Sequence, residues 1–190
     1  MSRRTPVERY APIRGKKAYL APRSNGARLH AGVDLAAPQG TAVVAPEDGV
    51  VRLAGDADTA RAVGGWRWRG YGPEVVLFEG RSRWHVLGHL QALAVREGDE
   101  LRSGDPIGEV SRLAHCHWEV LSAARPPRGR AVVEVSEDPI AWTTGGHSPY
   151  DGRAPAAPAG DLRTPAAHRP PANPIRAGEA PPAVEVPRGS

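Results

Sequence analysis

Ala114-His115-Cys116-His117-Trp118-Glu119-Val120 is the stretch on which the reading of this chain turns. Two histidines flank one cysteine in a run of residues compatible with extended backbone. On a strand, alternate side chains share a face. His115 and His117 then point one way, and Cys116 and Trp118 the other. Two imidazoles fixed on one face can hold a metal or move protons. The rest of the chain is read for what completes such a site.

Outward from this stretch, short apolar runs alternate with Gly, Pro and Asp turns, the pattern of a β-rich domain. Residues 41–45 and 50–54 read as strands around the turn Pro46-Glu47-Asp48-Gly49. Residues 74–79 and 83–90 read as a second pair around Gly80. Residues 107–110, 115–121 and 131–135 are the last strand candidates. Gly98-Asp99 and Ser103-Gly104-Asp105-Pro106 read as turns. No convincing helical period appears between 29 and 140, and residues 92–97 fit no pattern clearly. Residues 55–72 form a long polar loop carrying Trp66, Trp68 and Tyr71 among Arg61, Arg67 and Arg69.

The 190 residues suffice for one ordinary domain and tails. Aromatics are only 5%, so the core must be built mainly from Val, Leu, Ala and Ile. A single cysteine excludes an internal disulfide and a multi-cysteine zinc site. The net charge of +4 is uneven: residues 1–28 hold eight basic residues against Glu8 alone. This stretch is expected to be a basic, largely solvated leader over 1–25. A domain is expected over 26–145. Beyond it, residues 148–190 hold ten Pro and ten Ala with Tyr150 as the only aromatic. Such a segment buries too little apolar surface to offset its ordering entropy, so 146–190 is expected to be a flexible, partly polyproline tail. Leader and tail are the segments expected to meet a protein partner. No run approaches the roughly 18 apolar residues of a membrane span. The N-terminus lacks the apolar core of an ordinary secretory signal. No motif turns the basic balance into a nucleic-acid site.

Seven histidines are present, at 30, 85, 89, 115, 117, 147 and 168. His30-Ala31-Gly32-Val33-Asp34 offers an imidazole and a carboxylate that an extended segment puts on one face. Joined by one histidine of the 115/117 pair, they make a three-ligand N/N/O set. That is the usual protein share of a catalytic zinc, the fourth position being left to water. Cys116 faces away by alternation and reads as a small buried hydrophobe. His85 and His89 share parity on one strand, and sequence alone does not separate them. Glu119 falls on the ligand face, but reads as a polar strand-end residue.

These motifs follow one another in a set order: His30-Ala-Gly-Val-Asp34-Leu, Gly40-Thr-Ala-Val-Val-Ala-Pro46, Gly88-His89-Leu90, Gly98 to Gly108, His115-Cys-His117-Trp-Glu-Val120 and Asp138-Pro139. In that order the chain resembles the LytM/lysostaphin-type zinc metallopeptidases, family M23, over about residues 26–142. The resemblance implies an all-β fold, a compact, mainly antiparallel sheet with a groove. It implies one zinc held by His30, Asp34 and His117, with His89 and His115 as the catalytic pair. It favours His89 over His85 through the Gly-His-Leu context. It implies a peptidoglycan endopeptidase cutting stem peptides or cross-bridges, with Trp66, Trp68 and Tyr71 walling the substrate groove. The alternative is a structural or wall-binding component of a virion or injection machine. A cell-wall substrate and no ordinary signal together leave the localisation open between a phage-associated or non-classical export route and a sequence that is a truncated piece. Three positions depart from the family pattern: Leu87 replaces a tyrosine, Trp118 replaces a phenylalanine, and the segment between Gly108 and His115 is short.

Overall fold

The computed structural model describes residues 3–59, 70–122 and 135–145. Eleven strands and one short α-helix occur among them, with 3-10 turns at Gly15–Lys17 and Ser24–Gly26. They are β1 (Pro22–Arg23), β2 (Arg28–Leu29), β3 (Val33–Ala36), β4 (Ala42–Val44), β5 (Gly49–Asp56), β6 (Glu74–Gly80), β7 (Trp84–Gln91), β8 (Glu100–Leu101), β9 (Pro106–Val110), β10 (His115–Leu121), β11 (Ser136–Glu137) and the helix α1 (Pro139–Thr144). All pairings are antiparallel. β1 and β2 form a separate hairpin, and the other nine strands belong to one sheet. The expected all-β, mainly antiparallel architecture is what the chain adopts.

The central ladder runs β10–β7–β6–β5. Its aliphatic and aromatic side chains cover one face with an apolar core, which β3 extends. Val33, Val51, Phe78, Leu87, Trp118 and Val120 are all fully buried there. Each such side chain contributes about 1.5–3 kcal/mol of burial, enough together to fix which face turns inward. A smaller cluster of Leu53, Val75, Leu77, Val86 and Leu121 lies on the opposite face. On β10 the outward-facing positions therefore run His115, His117, Glu119, Leu121. The histidines end where the second apolar cluster begins.

β3 lies along the other edge of β10, with Asp34 opposite His117 and Ala36 opposite His115. Gly32 permits that approach. A Cβ there would stand 2.8 Å from both the Trp118 carbonyl carbon and Glu119 Cγ, and nearer still to the Trp118 oxygen.

The N-terminal segment differs from the solvated leader expected of it. Val7 is fully buried in the main core. Backbone hydrogen bonds tie Arg4 to Pro46, Val44 to Pro6 and Ala11 to Ala36. Arg3 donates to the Trp142 carbonyl at 3.1 Å and sits over the Trp142 ring. The basic side chains Arg9, Arg14, Lys16 and Lys17 remain exposed, which is why composition alone suggested solvation.

α1 follows an Asp-Pro start signal. Asp138 caps it through the Ile140 and Ala141 amides, Pro139 stands at its first turn, and Gly145 closes it at φ 65°. Six residues are too few to show a helical period. Of the strand expected over 131–135, residues 131–134 lie outside the described residues. So do Trp66, Trp68 and the tail expected from 146 onward.

Candidate metal centre

Three side chains converge at the β3–β10 edge. His30 Nε2 lies 3.0 Å from His117 Nδ1. Asp34 Oδ1 lies 2.9 Å from His117 Nδ1 and 3.2 Å from His30 Nε2. All three residues are buried. The backbone explains the convergence. Asp34 and His117 are cross-strand partners. His30 is pinned one short segment earlier by hydrogen bonds to Leu20 and Ala21.

The outer hydrogen bonds decide which ring nitrogen faces inward. His30 Nδ1 is 2.9 Å from the Ala18 carbonyl, which requires a proton on Nδ1 and leaves the Nε2 lone pair directed at the cluster. His117 Nε2 is 2.9 Å from Glu119 Oε1; a proton there leaves Nδ1 as the inward donor. Asp34 gives its second oxygen to Arg23 at 2.8 Å, so Oδ1 alone faces the histidines. Three electron-pair donors thus face one another at about 3 Å, and only a cation between them reconciles them. Three donors about 2.0–2.1 Å from a tetrahedral zinc would lie roughly 3.3 Å apart. The residues fit the group.

Without a metal, a proton takes that role. Burial disfavours charge on His117, but hydrogen bonds to Asp34 and Glu119 outweigh it and raise its pKa to about 9. Burial likewise opposes charge on Asp34, and the hydrogen bonds from His117 and His30 overcome it, holding the carboxyl well below its ordinary range. His30 is shifted down, first by burial.

Two further histidines flank this cluster. The His89 and His115 rings lie 4.5 Å apart, and His89 is 6.1 Å from His117. His89 Nδ1 donates to the Gly72 carbonyl at 2.7 Å, and His115 Nδ1 to the Leu113 carbonyl at 2.8 Å. Both Nε2 atoms are then left as acceptors. Burial is the main reason the pKa of His89 falls to about 4, so its ring is neutral at neutral pH.

His85 and His89 share sequence parity but not a face. His89 adopts φ 62°, a conformation rare for a side-chain-bearing residue, and this turns it off the core face. His85 stays in the core, fully buried. It accepts from Trp118 Nε1 at 3.2 Å and donates to Glu47 at 3.0 Å.

Glu119 is not a solvated strand end. It is 2% exposed, and its Oε1 takes hydrogen bonds from His117 and from the Tyr71 hydroxyl at 2.8 Å. Its place on the ligand face was the one signal available in the sequence. Tyr71, expected in a groove wall, meets the His117 ring edge-on at 5.3 Å. Cys116 is buried on the other face, and burial pushes its thiol pKa up.

An antiparallel β domain with an inward His/Asp/His donor set and two flanking histidines defines a class of protein. The sequence model described as peptidase family M23 matches residues 28–128, and the chain belongs to that family. It is 35% identical over 104 residues to the DD-carboxypeptidase/endopeptidase Mpg of Neisseria meningitidis, an alignment covering 52% of this chain and 21% of that protein. The chain thus spans about a fifth of that relative. A zinc-containing peptidase from Vibrio cholerae superposes with a TM-score of 0.50 at 25% identity, over 69% of this chain and 39% of that one. The catalytic domain of lysostaphin from Staphylococcus simulans gives 0.52 at 20% identity, over 71% and 92%, a likeness of fold.

Proposed function

We propose that this chain is a zinc-dependent peptidoglycan endopeptidase in which His30, Asp34 and His117 hold one zinc ion, and His89 and His115 handle protons. The observation that carries the reading is the convergence of His30 Nε2, Asp34 Oδ1 and His117 Nδ1, each aimed by an outer hydrogen bond. Zinc bound there would acidify water and polarise the scissile carbonyl. The chain supplies the rest. His89, neutral and tied through Nδ1, presents Nε2 to accept the proton of the attacking water. His115 presents its own Nε2 beside it, placed to donate to the developing oxyanion or the leaving amine once protonated. No glutamate of a His-Glu-x-x-His helix is present in the sequence, so imidazole is the base.

The substrate class is supported by the family and by the name of the Mpg relative. Trp66 and Trp68 belong to this proposal as groove residues on the strength of sequence alone. The test is digestion of purified peptidoglycans of several cross-link types, with and without a chelator, followed by mass analysis of the products. Chelator-sensitive release of peptide fragments, abolished in His115→Ala, is expected. Cleavage that survives chelation, or full activity in His115→Ala, overturns the mechanism. Wall binding without cleavage would favour the structural-component reading.

A further inference from the structure

One segment touches both halves of the site. The Tyr71 hydroxyl donates to Glu119 Oε1 at 2.8 Å, the same oxygen that receives His117 Nε2 at 2.9 Å. The Tyr71 carbonyl accepts the His89 amide at 2.6 Å. The next carbonyl, of Gly72, accepts His89 Nδ1 at 2.7 Å. The Tyr71 side chain lies over Gly88, where an added Cβ would stand 3.1 Å from the Tyr71 Cβ. Glu119 Oε2 is buried without a hydrogen-bond partner among the described residues. The carboxylate is therefore held through one oxygen by two donors, and Tyr71 is one of them.

We propose that Tyr71, with Gly72, is a positioning element that sets the metal-facing histidine through Glu119 and the proton-accepting histidine through the backbone. The inference rests on the metal reading above. The physical argument is one of orientation. His117 can direct Nδ1 inward only while Nε2–H has a fixed acceptor. Glu119 sits on β10 two residues away, and its carboxylate rotamer is locked from the far side by the Tyr71 hydroxyl. The unusual φ of His89 is stabilised by two hydrogen bonds, from its amide and its ring, to consecutive carbonyls of the same segment. Tyr71 touches neither water nor substrate in this role. It acts through Glu119 and His89.

The test reads zinc affinity and ring chemistry without substrate. In a competition titration against a chromophoric chelator, Tyr71→Phe is expected to weaken zinc binding about tenfold, and Glu119→Gln by more, within the range usual for outer-shell partners. The double variant Tyr71→Phe/Glu119→Gln should bind like Glu119→Gln alone, because the hydroxyl acts through the Glu119 carboxylate. A merely structural tyrosine would give additive losses. Imidazole 15N spectra should show the His117 ring signals moved in Tyr71→Phe, and unmoved in the control Tyr10→Phe. Tyr71→Phe removes only one oxygen, so folding is retained. Wild-type zinc affinity in Tyr71→Phe, or additive losses in the double variant, overturns the proposal. If the expected coupling appears while peptidoglycan stays uncut, the substrate assignment fails and the positioning role stands.

Discussion

Gly32→Ala is the substitution that most directly links packing to the site. The backbone at Gly32 lies outside the positive-φ region, so the effect is one of contact rather than strain. The new methyl would stand 2.8 Å from the Trp118 carbonyl carbon, backbone that cannot rotate away. Restoring an ordinary 3.4 Å contact requires β3 to move off β10 by about 0.6 Å or more. Overpacking of this kind costs about 1–3 kcal/mol. The same movement separates Asp34 from His117, which pair two residues further along β3 at 2.9 Å. Clearing the nearer Trp118 oxygen requires a larger shift still, which carries the pair beyond the roughly 3.3 Å that two ligands of one zinc allow, and a loss of zinc affinity of about tenfold or more is expected. Urea unfolding of the metal-free protein and a zinc competition titration measure the two effects. Stability within about 0.5 kcal/mol of wild type, together with unchanged zinc affinity, would refute the argument.

Three other outcomes follow from the charges. His85 is held neutral, mainly by burial, with its pKa below the ordinary 6.5, and Glu47 is held below 4.5 because its hydrogen bonds from His85 and Ser82 outweigh burial. Both depressed groups stabilise the fold above their unfolded pKa values, so stability should fall as pH drops below about 6.5 and fall further below about 4.5. In urea titrations across that range, His85→Asn should flatten the upper part of the slope. His117 carries a proton in the metal-free protein below about pH 9, so zinc binding at pH 7.5 should release about one proton. Calorimetry in buffers of different ionisation enthalpy reads this directly, and affinity should weaken as pH falls. Cys116 should resist thiol reagents in the native state and react only on unfolding, since it is buried with its thiol pKa raised.

How much of this was legible in the sequence depends on the kind of signal. Asp34 and the 115/117 pair were legible because strand alternation carries them; His30, in the short segment before β3, was legible only through its spacing to Asp34 and the order of the motifs. Alternation could not separate His115 from His117. That asymmetry comes from tertiary register: Asp34 lies across from His117, and only Ala36 from His115. His89 was legible through motif context rather than parity, since a single backbone rotation at φ 62° takes it off the face it would share with His85. Glu119 was misread because a lone glutamate on a strand usually meets solvent; its hydrogen-bond partner Tyr71 lies 48 positions earlier in the chain. The N-terminal segment gave no period because it is held by scattered backbone hydrogen bonds and one buried valine. α1 announced itself only by its cap.

The central claim is the identity of the three donors. Anomalous diffraction at the zinc edge, on crystals of the zinc-loaded protein, tests it most directly. The account predicts one zinc about 2.0–2.2 Å from His30 Nε2, Asp34 Oδ1 and His117 Nδ1, with His89 and His115 off the metal. Zinc held by His115 in place of His117, or absent from this cluster, would contradict it.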